Sequence, residues 1–260
     1  MSAEPPTRPD AAWLLALDAS TPRGVIAVGH VDATNRTQTL VVQDERDDGA
    51  NQASTRLLPR IEAALRQAGI TAGDLAAVAC GRGPGTFTGT RVAVASAKGL
   101  AYGLGRPVLA LSTLAAVAAS AEHEGAVLAV LDARRGEVYG SPWRCSGPDD
   151  TGIRALEAEG PERVTPLGDL LEALRPWPED LCVAGSGVEP YRHALPPALA
   201  AGARPLPGPS AAGVWAVAAN AWVEGRAEHP AALEAVYLRA SYAEMGISKP
   251  KRPFVKSPFV

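Results

Sequence analysis

Residues 15–19 read Leu-Ala-Leu-Asp-Ala, and residues 129–133 read Ala-Val-Leu-Asp-Ala. Each is an apolar run ending in Asp-Ala. Each is followed by a short turn with a glycine (Gly24, Gly136) and a second strand-like run. The turn residues Thr21-Pro22-Arg23-Gly24 between two apolar runs predict a hairpin over roughly 13–31. The same pattern predicts a second hairpin over 126–143. Around both, the order of elements matches: three strands, a helix, a strand and a helix. Such a recurrence constrains the fold to an α/β architecture of two duplicated βββαβα lobes. A chain of 260 residues has room for this, at roughly 130 residues per lobe.

The first run of elements continues with a strand near 38–43. Next comes an amphipathic helix over 54–69, with Leu57, Leu58, Ile61, Ala64, Leu65 and Ala68 at helical spacing and Gly69 closing it. A buried strand over 76–80 leads through a glycine-rich loop into a helix over about 89–104, then a short strand at 108–111. Ser112 is placed to cap the next helix. The second half adds a short helix at 167–174, a strand at 181–184 and a long alanine-rich helix at 211–225. The expected organisation is a disordered tail over 1–12, a first lobe over 13–111, a second lobe over 112–242 whose final helix returns toward the first, and a flexible basic tail over 243–260. The 50 alanines and the scarcity of rings (aromatics are 5%) imply that the core closes by bringing small-residue backbones together.

Several functional classes are disfavoured. The three cysteines and four histidines are dispersed, with no C-x-x-C or H-x-x-x-H pair, so neither a disulfide framework nor a metal site is written locally. A formal charge of −3, from 25 basic against 28 acidic residues, gives no footprint of a protein that holds nucleic acid alone. The start, MSAEPPTRPD, lacks the basic and then apolar pattern of a signal peptide, and no run reaches the ~18 apolar residues of a membrane span. These features point to a cytoplasmic protein without membrane contact. There is no G-x-S-x-G and no H-E-x-x-H, so no catalytic set is visible by spacing.

The densest motif is Gly81-Arg82-Gly83-Pro84-Gly85-Thr86-Phe87-Thr88-Gly89-Thr90-Arg91. Glycines before a helix amino terminus can cradle a phosphate. The run is nevertheless neither G-x-G-x-x-G nor a Walker loop. The competing reading is a tight strand-to-helix turn, with Thr88 as cap and the glycines permitting close packing. The next helix is apolar or small on nearly every side, so it must be covered by a neighbouring helix or another chain. Ala93, Ala97 and Ala101 would allow a close helix approach. Asp18 and Asp132, with Gly83 and Gly85, are candidates for a nucleotide–metal site between the lobes, as in a stand-alone ATPase or small-molecule kinase. Each aspartate is equally readable as an Asx-turn residue. The prolines and cations of the tail, with Lys249, Lys251, Arg252 and Lys256, read as a solvated strip.

The stretch 81–103 resembles the signature of the TsaB (YeaZ) family of bacterial tRNA threonylcarbamoyladenosine biosynthesis proteins. STRLLPRIEAALRQAGI (54–70), LDARRGEVY (131–139) and LEAVYLR (233–239) agree with that family in the same order. The resemblance implies an actin-like (ASKHA, ribonuclease H-like) two-lobe fold. It also implies a non-catalytic partner of a TsaD-like subunit, which carries the metal and transfers a threonylcarbamoyl group to adenosine 37 of tRNAs reading ANN codons. Further implied are a TsaE-like ATPase partner, a homodimer when the TsaD-like partner is absent, and contact with tRNA only through the complex. No cofactor is implied for this chain alone; ATP and Mg²⁺ belong to the other subunits. The implied docking surface is the two helices 54–69 and 89–104, with Leu57, Leu58, Ile61, Leu65, Val92, Ala95 and Leu100. One departure from the family is Ala53-Ser54-Thr55, where His-Ser-Glu is common.

Overall fold

A computed structural model describes residues 11–32, 34, 37–47, 53–148 and 154–239. The chain runs β1 (Ala11–Asp18), β2 (Arg23–Asp32), β3 (Thr37–Asp47), α1 (Ala53–Gln67), β4 (Leu75–Gly81), α2 (Phe87–Leu104), β5 (Val108–Leu111) and α3 (Thr113–Ser120). It continues with β6 (Gly125–Arg134), β7 (Glu137–Pro148), β8 (Arg154–Ala158), β9 (Arg163–Thr165), α4 (Leu167–Ala173), β10 (Cys182–Ala184), α5 (Pro197–Gly202) and α6 (Ala211–Val223). Ala11 and Ala12 pair with Asp32 and Val31, so the first strand starts inside the expected amino-terminal tail. The rest of that tail and the tail expected over 243–260 lie outside the described residues.

The first sheet has the order β3-β2-β1-β4-β5, with β1 antiparallel to β2 and parallel to β4. The second has the order β10-β6-β7-β8, with β6 antiparallel to β7 and parallel to β10. Laid over one another, β6, β7, β8 and β10 take the places of β1, β2, β3 and β4. Two differences separate the halves. Strand β9 adds a pairing to β7 at Val138–Gly140, and the counterpart of β5 shrinks to a single parallel bridge between Ala184 and Arg204.

The central strands β1, β2, β4, β6 and β10 are buried on both faces, so they read as continuous apolar runs, whereas the edge strands β3 and β8 are largely exposed. Along β1, Leu14 and Ala16 join the core shared with α3 and α6, while Leu15 and Leu17 join the core shared with α1 and α2. That is the period-two alternation of a strand. Leu128 and Val130 of β6 pack toward α4 and α5, whereas Val127, Ala129 and Leu131 pack toward α3. The result is five layers: α1–α2, first sheet, α3–α6, second sheet, α4–α5.

The middle layer is crossed over. Helix α3 follows the first sheet in sequence but packs on β6 and β7, and α6 follows the second sheet but packs on β1, β2, β3 and β5. Both helices start from the same device: Ser112 Oγ accepts from Ala115 N at 3.1 Å, and Ser210 Oγ accepts from Gly213 N at 3.0 Å. A Cβ on Gly213 would collide with Ser120 Oγ and the Ala116 carbonyl, so α3 and α6 approach closely there. Ala115, Ala116, Ala119, Ala218, Ala219 and Ala221 line the core that these helices share with the first sheet. Ala93, Ala97 and Ala101 of α2 are instead buried in the core shared with α1 and the first sheet.

Candidate functional site

A cleft of about 780 Å³ lies where the two lobes meet. Its walls are the turn after β1, the loop between β4 and α2, the β6–β7 turn, Ser186 after β10, and the segment 236–239.

The glycine-rich loop is a packing device. A Cβ on Gly81 would strike the Asp18 carboxylate, one on Gly85 the Ser20 carbonyl, and one on Gly89 the Ala19 carbonyl. Gly83 has φ +100°, a region that favours glycine. Its carbonyl accepts from Thr113 N at 3.0 Å, and Thr86 N donates to the Ser20 carbonyl at 2.6 Å. Loop and hairpin are therefore pressed together, as the packing reading required. The cap differs from expectation. Helix α2 begins two residues early, at Phe87, with Thr86 at the cap position and Thr88 already inside the helix and exposed. Thr90 Oγ1 bonds the Thr86 carbonyl at 2.9 Å.

Asp18 and Asp132 make the same local turn. Asp18 Oδ1 accepts from Ser20 N at 2.7 Å, and Asp132 Oδ1 accepts from Arg134 N at 2.8 Å. Beyond that they diverge. Asp18 is fully buried and also accepts from Ser20 Oγ at 2.6 Å and Thr113 Oγ1 at 2.7 Å. Burial raises its pKa above the ordinary 3.8, against the opposing pull of those hydrogen bonds. It clamps the hairpin turn to α3 and does not line the cleft, so it does not fit as a metal ligand there. Asp132 does line the cleft; it accepts from Tyr191 Oη at 2.9 Å and pairs with Arg134 at 3.0 Å. Burial, then the bond to Asp132, raises the Tyr191 phenol. Among the described residues no group of three or more His, Cys, Asp and Glu is placed to hold a metal ion.

A segment whose regular structure is one short 3₁₀ helix (Pro230–Ala232) closes the site, and the hydrophobic periodicity gave no sign of it. After α6 the chain pairs Glu228 with Val108, and Lys98 Nζ donates to the Ala231 carbonyl at 3.2 Å. His229 meets Tyr102 edge-on at 5.7 Å, and Leu233 is buried in the α1–α2 core. The all-round apolar α2 is thus partly covered by its own chain. Val236 N then donates to the Arg82 carbonyl at 2.8 Å. Arg91 Nε donates to Tyr237 Oη at 2.9 Å, and its guanidinium lies 3.8 Å from the Phe87 ring centre. Arg239 crosses to the second lobe, bonding the Ala133 carbonyl at 2.7 Å and the Glu137 carboxylate.

The helix pair divides the expected docking residues. Leu57, Ile61 and Leu65 are buried in their own chain's core, because they form the stripe of α1 that meets the first sheet. They are therefore not surface residues. Leu58 is 52% exposed, Ala95 is exposed, and Val92 and Leu100 are half-buried. Tyr102, 53% exposed, is not among the residues that the sequence singled out; with Arg91, Ala95 and Gly99 it forms the outward row of α2.

Residues 48–145 match the family described as TsaD, tRNA N6-adenosine threonylcarbamoyltransferase. The chain is 36% identical to an uncharacterized protein of Mycobacterium tuberculosis, over 90% of this chain and 94% of that one. It is 36% identical over 143 residues to the tRNA threonylcarbamoyladenosine biosynthesis protein TsaB of Escherichia coli, a stretch covering 54% of this chain and 57% of that one. The solved structure of YeaZ from Pseudomonas aeruginosa superposes with a TM-score of 0.73 at 31% identity, over 87% of this chain and all of that one. The chain belongs to the TsaB (YeaZ) family. Its fold is the actin-like two-lobe fold.

In this TsaB-family chain, three of the four matched stretches meet in space. The signature loop, the 131–139 hairpin and the 233–239 segment all line the interlobe cleft or border it. The fourth stretch forms α1. Of the two positions where the family pattern departs, the side chain of Ala53 lies outside the described residues and Thr55 is exposed.

Proposed function

We propose that this chain is a non-catalytic partner subunit in tRNA threonylcarbamoyladenosine biosynthesis. It docks a TsaD-like subunit that transfers the threonylcarbamoyl group to adenosine 37 of tRNAs reading ANN codons. The observation that carries this reading is the outward face of the α1–α2 pair: Leu58, Ala95 and Tyr102 are exposed on helices whose other faces are already buried. Relatives named TsaB in Escherichia coli, Bacillus subtilis and Haemophilus influenzae support it, as does the match to the TsaD family over 48–145. The non-catalytic role is supported by Asp18, whose carboxylate is consumed by Ser20 and Thr113 beneath the cleft. The same burial argues against the stand-alone ATPase or kinase, which needs that carboxylate on a metal.

The same helix face would serve a homodimer when the TsaD-like subunit is absent. A TsaE-like ATPase would join the pair, with ATP and Mg²⁺ bound at those other subunits. The site of action is the cytoplasm; no helix among the described residues is long and apolar enough to cross a membrane.

Tyr102→Glu and Ala95→Glu place a charge on exposed positions, so they are expected to leave the fold intact. Each should weaken binding of the TsaD-like subunit about tenfold or more. Ile61→Glu is a poor test, since it buries the charge in the chain's own core. Co-purification of the full chain with the TsaD-like subunit, followed by nucleoside analysis of tRNA, decides the matter. Folded Tyr102→Glu and Ala95→Glu chains that bind as wild type would move the interface elsewhere.

A further inference from the structure

The cleft holds a concentration of cations at odds with the chain as a whole. Four arginines (Arg91, Arg134, Arg135, Arg239) line it against one carboxylate, Asp132, although the chain carries a net −3. Two aromatic rings stand beside them. Phe87 is 45% exposed and Tyr237 44% exposed, with ring centres 5.2 Å apart. The Arg91 guanidinium lies against Phe87 and bonds the Tyr237 hydroxyl, so the rings are held in place while much of their surface remains open. Large exposed rings on a soluble domain need an explanation, and these two lie away from Leu58 and Tyr102 in sequence and share the amino-terminal end of α2.

Aromatic surface beside a cationic groove is the combination that binds single-stranded nucleic acid: bases stack on the rings and phosphates meet the guanidinium groups. We infer that this cleft is a direct contact site for an unpaired stretch of RNA, with a base stacked on the Phe87–Tyr237 rim and the backbone passing Arg135 and Arg134 on the opposite wall. The inference rests on the tRNA-modification reading above and extends it, because it gives this subunit its own grip on the RNA. At about 780 Å³ the cleft is large enough for a base and its phosphate. The arginines are not equivalent. Arg239 is committed to Ala133 and Glu137 and holds the wall together, whereas Arg91 meets only the two rings and the Tyr237 hydroxyl in the contacts described.

The test is fluorescence anisotropy of the full chain with a labelled, unstructured single-stranded RNA oligonucleotide, as a function of salt, with duplex RNA and free ATP as competitors. Phe87→Ala and Tyr237→Ala are expected to weaken binding about tenfold each, the loss of one stacked base. Tyr237→Phe, which keeps the ring but gives up the bond to Arg91, should lose less than Tyr237→Ala. Arg135→Asn, on an exposed turn where Asn tolerates the positive φ of 59°, should lower the salt slope by about 0.7, one phosphate contact. Arg226→Gln, at the far end of α6, should change nothing. Thermal melts identify any variant that fails to fold, and Arg135→Asn keeps the test open if loss of Tyr237 loosens the 233–239 segment. Equal affinity of wild type, Phe87→Ala and Arg135→Asn overturns the inference. So does displacement of the RNA by free ATP more readily than by unlabelled single-stranded RNA, which would make the cleft a mononucleotide site. Either result leaves the subunit reading intact if the chain still joins the TsaD-like subunit; failure to join it sinks that reading whatever the RNA does.

Discussion

The hairpins β1–β2 and β6–β7 are the same object used twice. Both carry Asp-Ala at the turn end of their first strand, both aspartates accept a backbone N–H two residues on, and both first strands pair antiparallel with the next and parallel with a later one. They differ in the residues after the aspartate. Beyond Asp18 come Ala-Ser-Thr-Pro, and the Ser20 hydroxyl folds back onto the carboxylate while Thr113 of α3 seals the other oxygen. Beyond Asp132 come Ala-Arg-Arg-Gly, and the turn projects two arginines toward the cleft. Both turns border the cleft, but Asp18 has become an internal brace while Asp132 lines the opening. A few turn residues decided which aspartate faces the cleft.

Removing each carboxylate breaks the comparison most sharply. Asp18→Ala removes the acceptor of Ser20 N–H, the Ser20 hydroxyl and the Thr113 hydroxyl, all buried; the two hydroxyls, 2.9 Å apart, can then bond one another, so two groups are orphaned. At about 1–2 kcal/mol for each, the loss should reach ~3 kcal/mol. Asp18→Asn keeps one acceptor oxygen and sheds the cost of a buried charge, so it should lose less. Asp132→Ala gives up contacts to Tyr191 and the exposed Arg134 and should cost under about 1 kcal/mol. Urea unfolding of the three variants measures the ranking. Equal losses at the two aspartates would mean that the hairpins are not used differently.

The glycines facing the two turns rank next. A Cβ on Gly89 runs into the Ala19 carbonyl, which is backbone and cannot swing away, so Gly89→Ala should cost about 2–3 kcal/mol as the loop is pushed off the hairpin. Gly136 has φ +82° but open space around a Cβ, so Gly136→Ala pays only for its conformation, about 1 kcal/mol. Chemical denaturation again reads both. A larger loss at Gly136 would show that the β6–β7 turn, not the signature loop, is the rigid partner.

How much of this was legible in the residues divides along the same line. The element order and the Ser112 cap were readable, because apolar runs, helical stripes and cap residues act locally. The final helix was expected to return toward the first lobe, but which sheet α3 would cover was not legible, since it is apolar all round and such a helix does not name its neighbour. Leu58 stands beside Leu57, Ile61 and Leu65 in the sequence, yet it lies at the edge of their stripe and turns outward. The fate of Asp18 and Asp132 was open because both make the Asx turn that the spacing allowed. The 228–239 segment left no periodic signal: it is held by single contacts to Lys98, Arg82, Arg91 and Glu137, each supplied by a distant part of the chain. The cleft, formed by the convergence of three stretches, therefore emerges only in three dimensions.

The gentlest probe of the two hairpins is pH. Burial places the Asp18 pKa in the folded protein above its ordinary 3.8, so the folded chain holds that proton more tightly than the unfolded chain does. By linkage the proton's stabilising contribution is complete at low pH. It diminishes as pH rises from about 3.8 through the raised folded value, above which the contribution no longer changes. Asp44 acts in the opposite sense. Burial pulls its pKa upward, but bonds from Arg60 and Arg46 outweigh it, so the pKa lies below the ordinary value and its contribution is lost as pH drops below that value. The Asp18 component is isolated by subtracting the stability of Asp18→Asn from that of wild type at each pH. That difference should favour wild type most strongly on the acid side and fall with rising pH. A difference that instead grows with pH would mean that the hydrogen bonds from Ser20 and Thr113 outweigh the burial of Asp18.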